Sequence, residues 1–173
     1  MDKKASKGTA VAERPATTDG APRITRQELI DCLNEDLARE YQAIIAYVVY
    51  SQVMKGAQYM SIAAELEQHA KEELEHALII AKQIDYLGGM PTVNPRPVKV
   101  SEDAETLLRF DLENENETVR AYKERVRQCE ALGEYGMAEH IREILKNEQE
   151  HQIDLATALG KDVAELTSQE ERA

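Results

Sequence analysis

Hydrophobic positions recur at steps of three and four residues over four long segments of the chain. An α-helix advances about 100° per residue, so positions at these steps share one side of a helix and predict a buried stripe. The four segments cover approximately residues 25–54, 57–87, 101–131 and 134–159. The pattern therefore predicts four long helices, which we call A to D in chain order, and an all-α fold.

Residues typical of helix ends flank these segments. Thr25 and Glu28 form the capping-box signature at the start of helix A, and Ser101 is a good N-cap for helix C. Gly88 and Gly160 follow helices B and D, where a C-terminal glycine commonly ends a helix. The short connection between A and B makes these two helices antiparallel neighbours.

The segment between helices B and C, residues 88–100, contains three prolines and cannot be helical throughout. In an extended proline-rich form it reaches on the order of 40 Å at ~3.1 Å per residue, which is about the length of helix B. Helix C can therefore start beside the start of helix B. This predicts a four-helix bundle with one long B–C crossover, the ferritin-like arrangement, rather than up-down-up-down connectivity.

Each predicted stripe carries charged residues at positions where a stable bundle would place Leu or Ile. Burying an ionised carboxylate costs many kcal/mol unless the group is paired or binds a metal. A Glu and a His one turn apart on a buried stripe, as at Glu73 and His76, are suited to a metal ion inside a bundle. The stripes are Leu29, Leu33, Leu37, Glu40, Ile44 and Tyr47; Ile62, Leu66, His69, Glu73, His76, Ile80 and Leu87; Leu108, Leu112, Glu115, Val119, Tyr122, Val126 and Cys129; and Met137, Ile141, Ile144, Glu148, His151 and Leu155.

The charged pattern occurs twice, with a shift of 75 residues. Glu73-Leu74-Glu75-His76 returns as Glu148-Gln149-Glu150-His151, and Glu40 with Tyr47 returns as Glu115 with Tyr122. The spacing between the two Glu residues of each half is 33. Two equivalent halves predict a pseudo-two-fold site that holds two metal ions.

Composition and charge narrow the function classes. The chain has 173 residues, 42% of them hydrophobic, enough for one domain with its own core. Its net charge of −12 disfavours nucleic acid and anionic membrane as partners of the folded body. No apolar run approaches the ~18 residues of a transmembrane helix. Residues 1–24 lack an apolar signal-peptide core, so we expect a cytoplasmic protein.

The predicted division is a flexible N-terminal tail at 1–24, the bundle at 25–160 and a short polar tail at 161–173. The first of these is slightly basic and could contact DNA, although a solvated tail is the usual interpretation.

Six residues are predicted to be metal ligands. Four carboxylates neutralise two divalent ions, and carboxylate with imidazole suits Fe and Mn better than Zn or Cu. By position, we expect two of the Glu residues to bridge the ions, and Tyr47 and Tyr122 to form hydrogen bonds with ligand carboxylates. The predicted bridging residues are Glu73 and Glu148, with Glu40 and His76 completing one ion and Glu115 and His151 the other.

With these motifs, the chain resembles the ferritin-like di-iron proteins over about residues 25–160, most closely the bacterioferritins and bacterioferritin-like Dps relatives. The resemblance implies a homo-oligomeric cage with ferroxidase activity. Two Fe²⁺ ions per subunit are oxidised by O₂ or H₂O₂, and Fe³⁺ passes to a mineral core. It also implies that the same six residues are the ferroxidase ligands.

Two features depart from the bacterioferritin pattern. In bacterioferritins, Met follows the Glu of the helix B motif and ligates haem at a two-fold interface, whereas this chain has Leu74, so we predict no haem. The tail after helix D is short and polar, which favours a shell of twelve subunits over one of twenty-four.

Several alternatives stay open. They are a manganese catalase-like or other di-metal oxidase without a mineral, a Dps-like DNA-protecting protein that uses its tail, and a structural bundle without metal. His69 and His140 share the face of the helix B and D histidines, and we favour core or interface packing for both over accessory metal binding. Glu65, Glu72 and Glu75 could line a mineral-nucleating surface or form a solvated face.

Overall fold

The computed structural model describes residues 24–163. In this range the chain forms four long helices and one short 3-10 helix, with no β-strand. The predicted all-α fold is confirmed, and the predicted bounds agree with the observed ones to within about three residues. The helices are α1 (Arg26–Val53), α2 (Met60–Tyr86), α3 (Ala104–Ala131) and α4 (Tyr135–Ala158), and the 3-10 helix Ala57–Tyr59 precedes α2.

The helix starts show one confirmed cap and one correction. At Thr25 the side chain accepts from the backbone N–H of Glu28, whose carboxylate accepts from the Thr25 backbone, so the capping box is confirmed. The N-cap of α3 is Asp103, which accepts from Thr106 N, and the prediction of Ser101 as N-cap is wrong. Ser101 Oγ instead accepts from Asp103 N and holds the capping residue.

The helices run in the order that a long crossover requires. One buried hydrophobic cluster combines the starts of α1 and α4 with the ends of α2 and α3. A second cluster combines the ends of α1 and α4 with the starts of α2 and α3. The chain therefore travels the full length of the bundle between α2 and α3, as the proline-rich segment predicts. All stripe residues except Ile44 and Val126 are buried.

The crossover lies over the groove between α1 and α3. Asn34 of α1 donates from its side chain to Met90 O and accepts from Thr92 N, and Arg96 N donates to Ala38 O. On the other side, Arg96 forms an ion pair with Glu117 of α3 at 2.6 Å. The crossover covers the α1–α3 face, and the opposite face, between α2 and α4, has no such cover in the described chain.

No helix among the described residues combines the length and the hydrophobicity needed to cross a membrane.

Candidate metal centre

The six predicted ligands meet in the middle of the bundle, between the two hydrophobic clusters. Each helix supplies one Glu because its stripe faces the bundle axis, and α2 and α4 each add a His one turn further along. All six residues are at least 95% buried. Their donor atoms form two sets, each spanning no more than 4.8 Å, which are Glu40, Glu73, His76 and Glu148, and Glu73, Glu115, Glu148 and His151.

The two sets share Glu73 and Glu148, the two residues that the sequence predicts as bridges. Nδ1 of His76 lies 3.1 Å from Oε2 of Glu73 and 3.1 Å from Oε1 of Glu148. Nδ1 of His151 lies 3.0 Å from Oε1 of Glu73 and 3.4 Å from Oε2 of Glu148. Each central carboxylate therefore turns one oxygen toward each histidine, the arrangement that two bridging carboxylates would need.

Many ligand atoms of this cluster are buried without a contact that has hydrogen-bond geometry. Buried polar groups in proteins are almost always satisfied, so a concentration of unsatisfied acceptors in one place fits a bound cation. Carboxylate and imidazole donors fit iron or manganese. The unsatisfied atoms are Oε2 of Glu40, Oε1 of Glu73, Oε2 of Glu115, both carboxylate oxygens of Glu148 and Nδ1 of His151.

Burial and neighbouring groups shift the pKa values of these carboxyl groups, upward at Glu40 and Glu115 and downward at Glu73. The pKa values of Glu40 and Glu115 are raised well above their usual range, chiefly because burial disfavours the ionised form and then because other carboxylates lie close by. Burial also disfavours ionised Glu73, but close contacts with Glu40 and the two histidines hold its pKa below the usual range. In the metal-free centre, the carboxyl groups of Glu40 and Glu115 therefore hold protons more strongly than that of Glu73.

The pKa values of the two histidines are raised. Burial acts to lower the pKa of His151, but contacts with Glu148 and Glu73 outweigh it and raise the pKa to about 12. The pKa of His76 is raised for the same reason by Glu148, Glu40 and Glu73. In the metal-free protein, the positive charge of the two imidazolium rings thus balances part of the negative charge of the buried carboxylates. Two divalent cations can replace this positive charge.

The two predicted tyrosines contact ligand carboxylates, but each reaches the Glu of the other half. Tyr47 of α1 donates from its hydroxyl to Oε1 of Glu115 on α3, and Tyr122 of α3 donates to Oε1 of Glu40 on α1. Burial, followed by the charge of the bonded Glu, raises the pKa values of both phenols well above 10.0 and keeps them protonated as donors.

The outer nitrogens of the histidines are held by two residues that the sequence analysis did not identify as partners. Nε2 of His151 lies 2.8 Å from Oε2 of Glu72, and Nε2 of His76 lies 3.0 Å from Oδ1 of Asn147. Glu72 and Asn147 are themselves related by the shift of 75, and extending the repeat to non-identical residues would have found them. Such partners fix the orientation of a ligand imidazole.

A second pair missed in the sequence analysis is Asp36 and Asp111, again 75 residues apart. Asp36 is fully buried and accepts two hydrogen bonds from Arg125, at 2.6 and 3.1 Å, as well as one from Arg39. Asp111 is also buried, but its Oδ2 has no hydrogen-bond partner, and Tyr50 occupies the place equivalent to Arg125. The two halves therefore differ in how they compensate the same buried charge.

The other histidines have different outcomes. His69 is buried on α2 and its ring stacks on that of His151, with 4.0 Å between centroids. His140 is exposed on α4, so the core alternative predicted for it is wrong. His140 lies at the edge of the buried stripe of α4, next to the buried residues Met137 and Ile141. Leu74, at the position of the bacterioferritin haem ligand, lies on the exposed side of α2.

The predicted contact with DNA concerns the N-terminal tail at residues 1–24, of which 1–23 lie outside the described residues. Residues 164–173 of the predicted C-terminal tail also lie outside them.

Comparison with known proteins agrees with this architecture. The ferritin-like domain family matches residues 30–163. A bacterioferritin of Brucella melitensis is 25% identical over 142 residues, covering 78% of this chain and 88% of the relative. A bacterioferritin of Desulfovibrio desulfuricans is 28% identical over 127 residues, covering 73% and 71%, and a bacterial ferritin of Neisseria meningitidis is 27% identical over 124 residues, covering 72% and 80%.

A solved structure supports the same assignment. It is a crystal structure of ferritin-like, diiron-carboxylate proteins from Bacillus anthracis, with a TM-score of 0.75 and 34% identity, covering 78% of this chain and 96% of that one. The family match at residues 30–163 includes all six residues of the buried cluster of carboxylates and histidines. The chain belongs to the ferritin-like family.

Proposed function

We propose that this protein is an iron-storage and detoxifying ferroxidase that oxidises Fe²⁺ at a di-iron centre within each subunit. The observation that carries the proposal is the pair of buried donor sets that share Glu73 and Glu148. The bacterioferritin relatives and the diiron-carboxylate structural neighbour support the choice of iron.

The proposed roles of the residues follow from their contacts. Glu73 and Glu148 would be shared by two Fe²⁺ ions, with Glu40 and His76 holding one ion and Glu115 and His151 the other. Four carboxylates against two divalent ions leave a nearly neutral group, which costs less to bury than unpaired carboxylates do. Each bound Fe²⁺ gives up one electron to O₂ or H₂O₂. The resulting Fe³⁺ is proposed to collect in the hollow of a homo-oligomeric cage, for which twelve subunits are slightly favoured over twenty-four.

The chain's own groups prepare this centre. Tyr47 and Tyr122 hold the outer carboxylates, so that each presents its second oxygen to an ion. Asn147 and Glu72 hold the imidazole rings with Nδ1 directed inward. A rigid set of donors of this kind restricts the positions that the metals can occupy.

The experiment is aerobic addition of a large excess of Fe²⁺ to the metal-free protein, followed by size exclusion with iron detection and light scattering. We expect iron to elute with a large assembly, and the Glu73→Ala/Glu148→Ala variant to lose both oxidation and iron loading. Glu75→Ala/Glu150→Ala is a matched control because these exposed residues are related by the same shift of 75.

Two other results would redirect the proposal. Two tightly bound ions per chain on a small oligomer, without further uptake, would identify a di-metal oxidase without a mineral. H₂O₂ dismutation by a manganese-loaded protein would select the manganese catalase-like alternative.

Gel shifts that disappear at high salt and on removal of residues 1–24 would add a DNA-protecting role. Because Leu74 stands where bacterioferritins have the haem-ligating Met, we expect no haem absorbance.

A further inference from the structure

The α2–α4 face carries a second group of donor atoms outside the di-metal centre. Glu65 and His69 of α2 and Asp154 of α4 each offer one atom within 4.8 Å of the others. Metal–donor bonds of about 2.0–2.2 Å place neighbouring donors of one ion about 3–3.5 Å apart, so closure requires movements of up to about 2 Å. Glu65 is exposed and its side chain can supply this movement.

His69 gives this group a feature that a solvated acidic cluster lacks. Its side chain is only 3% exposed, Nε2 lies 3.4 Å from Oδ2 of Asp154, and Nδ1 is buried without a hydrogen-bond partner. A buried imidazole with one nitrogen facing a carboxylate and the other unsatisfied is an incomplete hydrogen-bond arrangement for a packing residue. Ligation of a cation is a use that fits it.

The same histidine connects this group to the di-metal centre. The His69 ring stacks on His151 with 4.0 Å between centroids, and His69, Glu72 and His151 form a further donor set within 4.8 Å. Donor sets therefore follow one another from exposed Glu65 through His69 and Glu72 to His151. Consecutive sets share a residue, first His69 and then His151, and His151 turns Nε2 toward Glu72 and Nδ1 toward the di-metal centre.

The series exists in one half of the pseudo-symmetric bundle only. Under the shift of 75, His69 corresponds to Ile144 and Glu72 to Asn147. Ile144 cannot bind a cation, and neutral Asn147 attracts one less strongly than Glu72 does. The fold of the di-metal centre does not require the charged version, because the His76 half is built without it. The additional donor groups on the His151 side therefore have a role of their own.

An open cavity of about 360 Å³ gives access to this group from solvent. Glu65 and Asp154 line it together with the polar side chains of Gln58, Ser61 and Thr157. Its size and lining suit a cation that keeps part of its water shell.

We propose that Glu65, His69 and Asp154 form a third divalent-cation site in each subunit, at the α2–α4 face, and that Fe²⁺ passes from it along Glu72 to the His151 half of the centre. The existence of the site stands by itself, whereas the passage of Fe²⁺ rests on the proposed ferroxidase function.

The site is tested with Co²⁺ alone, by equilibrium dialysis of the full-length metal-free protein and by anomalous diffraction from Co²⁺-soaked crystals. We expect three ions per chain, with one between Glu65, His69 and Asp154. Glu65→Gln/Asp154→Asn should lose that ion and keep the two central ones. Glu75→Gln/Asp85→Asn, which removes the same charges from exposed positions of α2, should lose none. No anomalous density at this position, or an ion that persists in Glu65→Gln/Asp154→Asn, would overturn the site.

The passage is tested by stopped-flow oxidation of Fe²⁺ by the same two variants. Removing two charges from an entry point should raise the KM for Fe²⁺ roughly tenfold and leave kcat unchanged, since local negative charge concentrates a cation. An unchanged KM in a variant that has lost the third Co²⁺ would reject the passage while leaving the site. Failure of the unmodified protein to oxidise Fe²⁺ would reject the proposed function, and the dialysis result would still decide the site.

Discussion

The hydroxyl of Tyr47 on α1 donates to the Glu115 carboxylate on α3, and Tyr122 returns the same contact from α3 to Glu40 on α1. The two hydrogen bonds cross the bundle, so each half of the metal centre is held by the other half's helix. Both phenols and both carboxylates are buried, where a lost partner leaves an unsatisfied charge.

Tyr47→Phe is therefore expected to weaken metal binding at the Glu115 half about 10–100-fold, as loss of a partner to a ligand typically does. Tyr122→Phe should weaken the Glu40 half equally. Titration with Co²⁺ in the visible range measures this. The matched control is Tyr50→Phe, whose hydroxyl donates to Lys99 O in the crossover, and which should leave the affinity unchanged. Equal losses in all three variants would point to general destabilisation instead.

Metal binding should release protons and become weaker as pH falls. Contacts with carboxylates raise the pKa values of His76 and His151, the latter to about 12, and burial raises those of Glu40 and Glu115. At pH 7 the metal-free centre therefore holds protons on groups that must lose them to bind a metal. Lowering the pH favours the protonated, metal-free form.

Calorimetry of Co²⁺ binding in buffers of different ionisation enthalpy counts these protons. We expect about two or more per chain at pH 7, and apparent affinity that rises from pH 6 to pH 8. Identical heats in all buffers would contradict the proton assignment.

The two ions are expected to bind with different affinity. The outer nitrogen of His151 contacts the carboxylate of Glu72, whereas that of His76 contacts the amide of Asn147. A carboxylate partner makes the imidazole a more basic ligand. Glu72→Gln should therefore weaken one of the two ions about 10–100-fold, and Asn147→Asp should strengthen the other. Glu75→Gln serves as the exposed control, and an unchanged affinity in Glu72→Gln would exclude this role.

Asp36 and Asp111 should respond oppositely to replacement by Leu, which has a similar shape. Asp36→Leu leaves Arg125 and Arg39 buried without their carboxylate, and should cost about 3–5 kcal/mol of unfolding free energy. Asp111→Leu removes a carboxylate with an unsatisfied oxygen and should add about 1–3 kcal/mol at pH 7.

The pH dependence gives a sharper test of the Asp111 prediction. Burial, followed by the charge of Glu73, raises the pKa of Asp111 well above its usual 3.8. A carboxyl with a raised folded-state pKa destabilises the fold increasingly as pH rises above the unfolded-state value. The gain from Asp111→Leu should thus be larger at pH 7 than at pH 3, as measured by urea unfolding of the metal-free protein. A gain independent of pH would show that packing, and not charge, is responsible.

The sequence by itself determined the four helices, the crossover and the six residues of the buried cluster of carboxylates and histidines. Helix periodicity and caps depend on neighbours within a few residues, and the length of the proline-rich segment limits where α3 can begin. The shift of 75 identified Glu73, His76, Glu148 and His151 because a repeated pair of charges on core stripes needs a common reason. Even locally, the choice of Asp103 over Ser101 as N-cap depended on how the two side chains share the backbone donors.

Only the tertiary structure decided which side chains meet across the bundle. The exchange of the tyrosines between halves, the Asp36–Arg125 pair and the stacking of His69 on His151 all join different helices. Such contacts depend on the rotation of each helix about its axis and on its axial offset from its neighbours. Packing of the whole core fixes both the rotation and the axial offset. Residue spacing within one helix predicts neither.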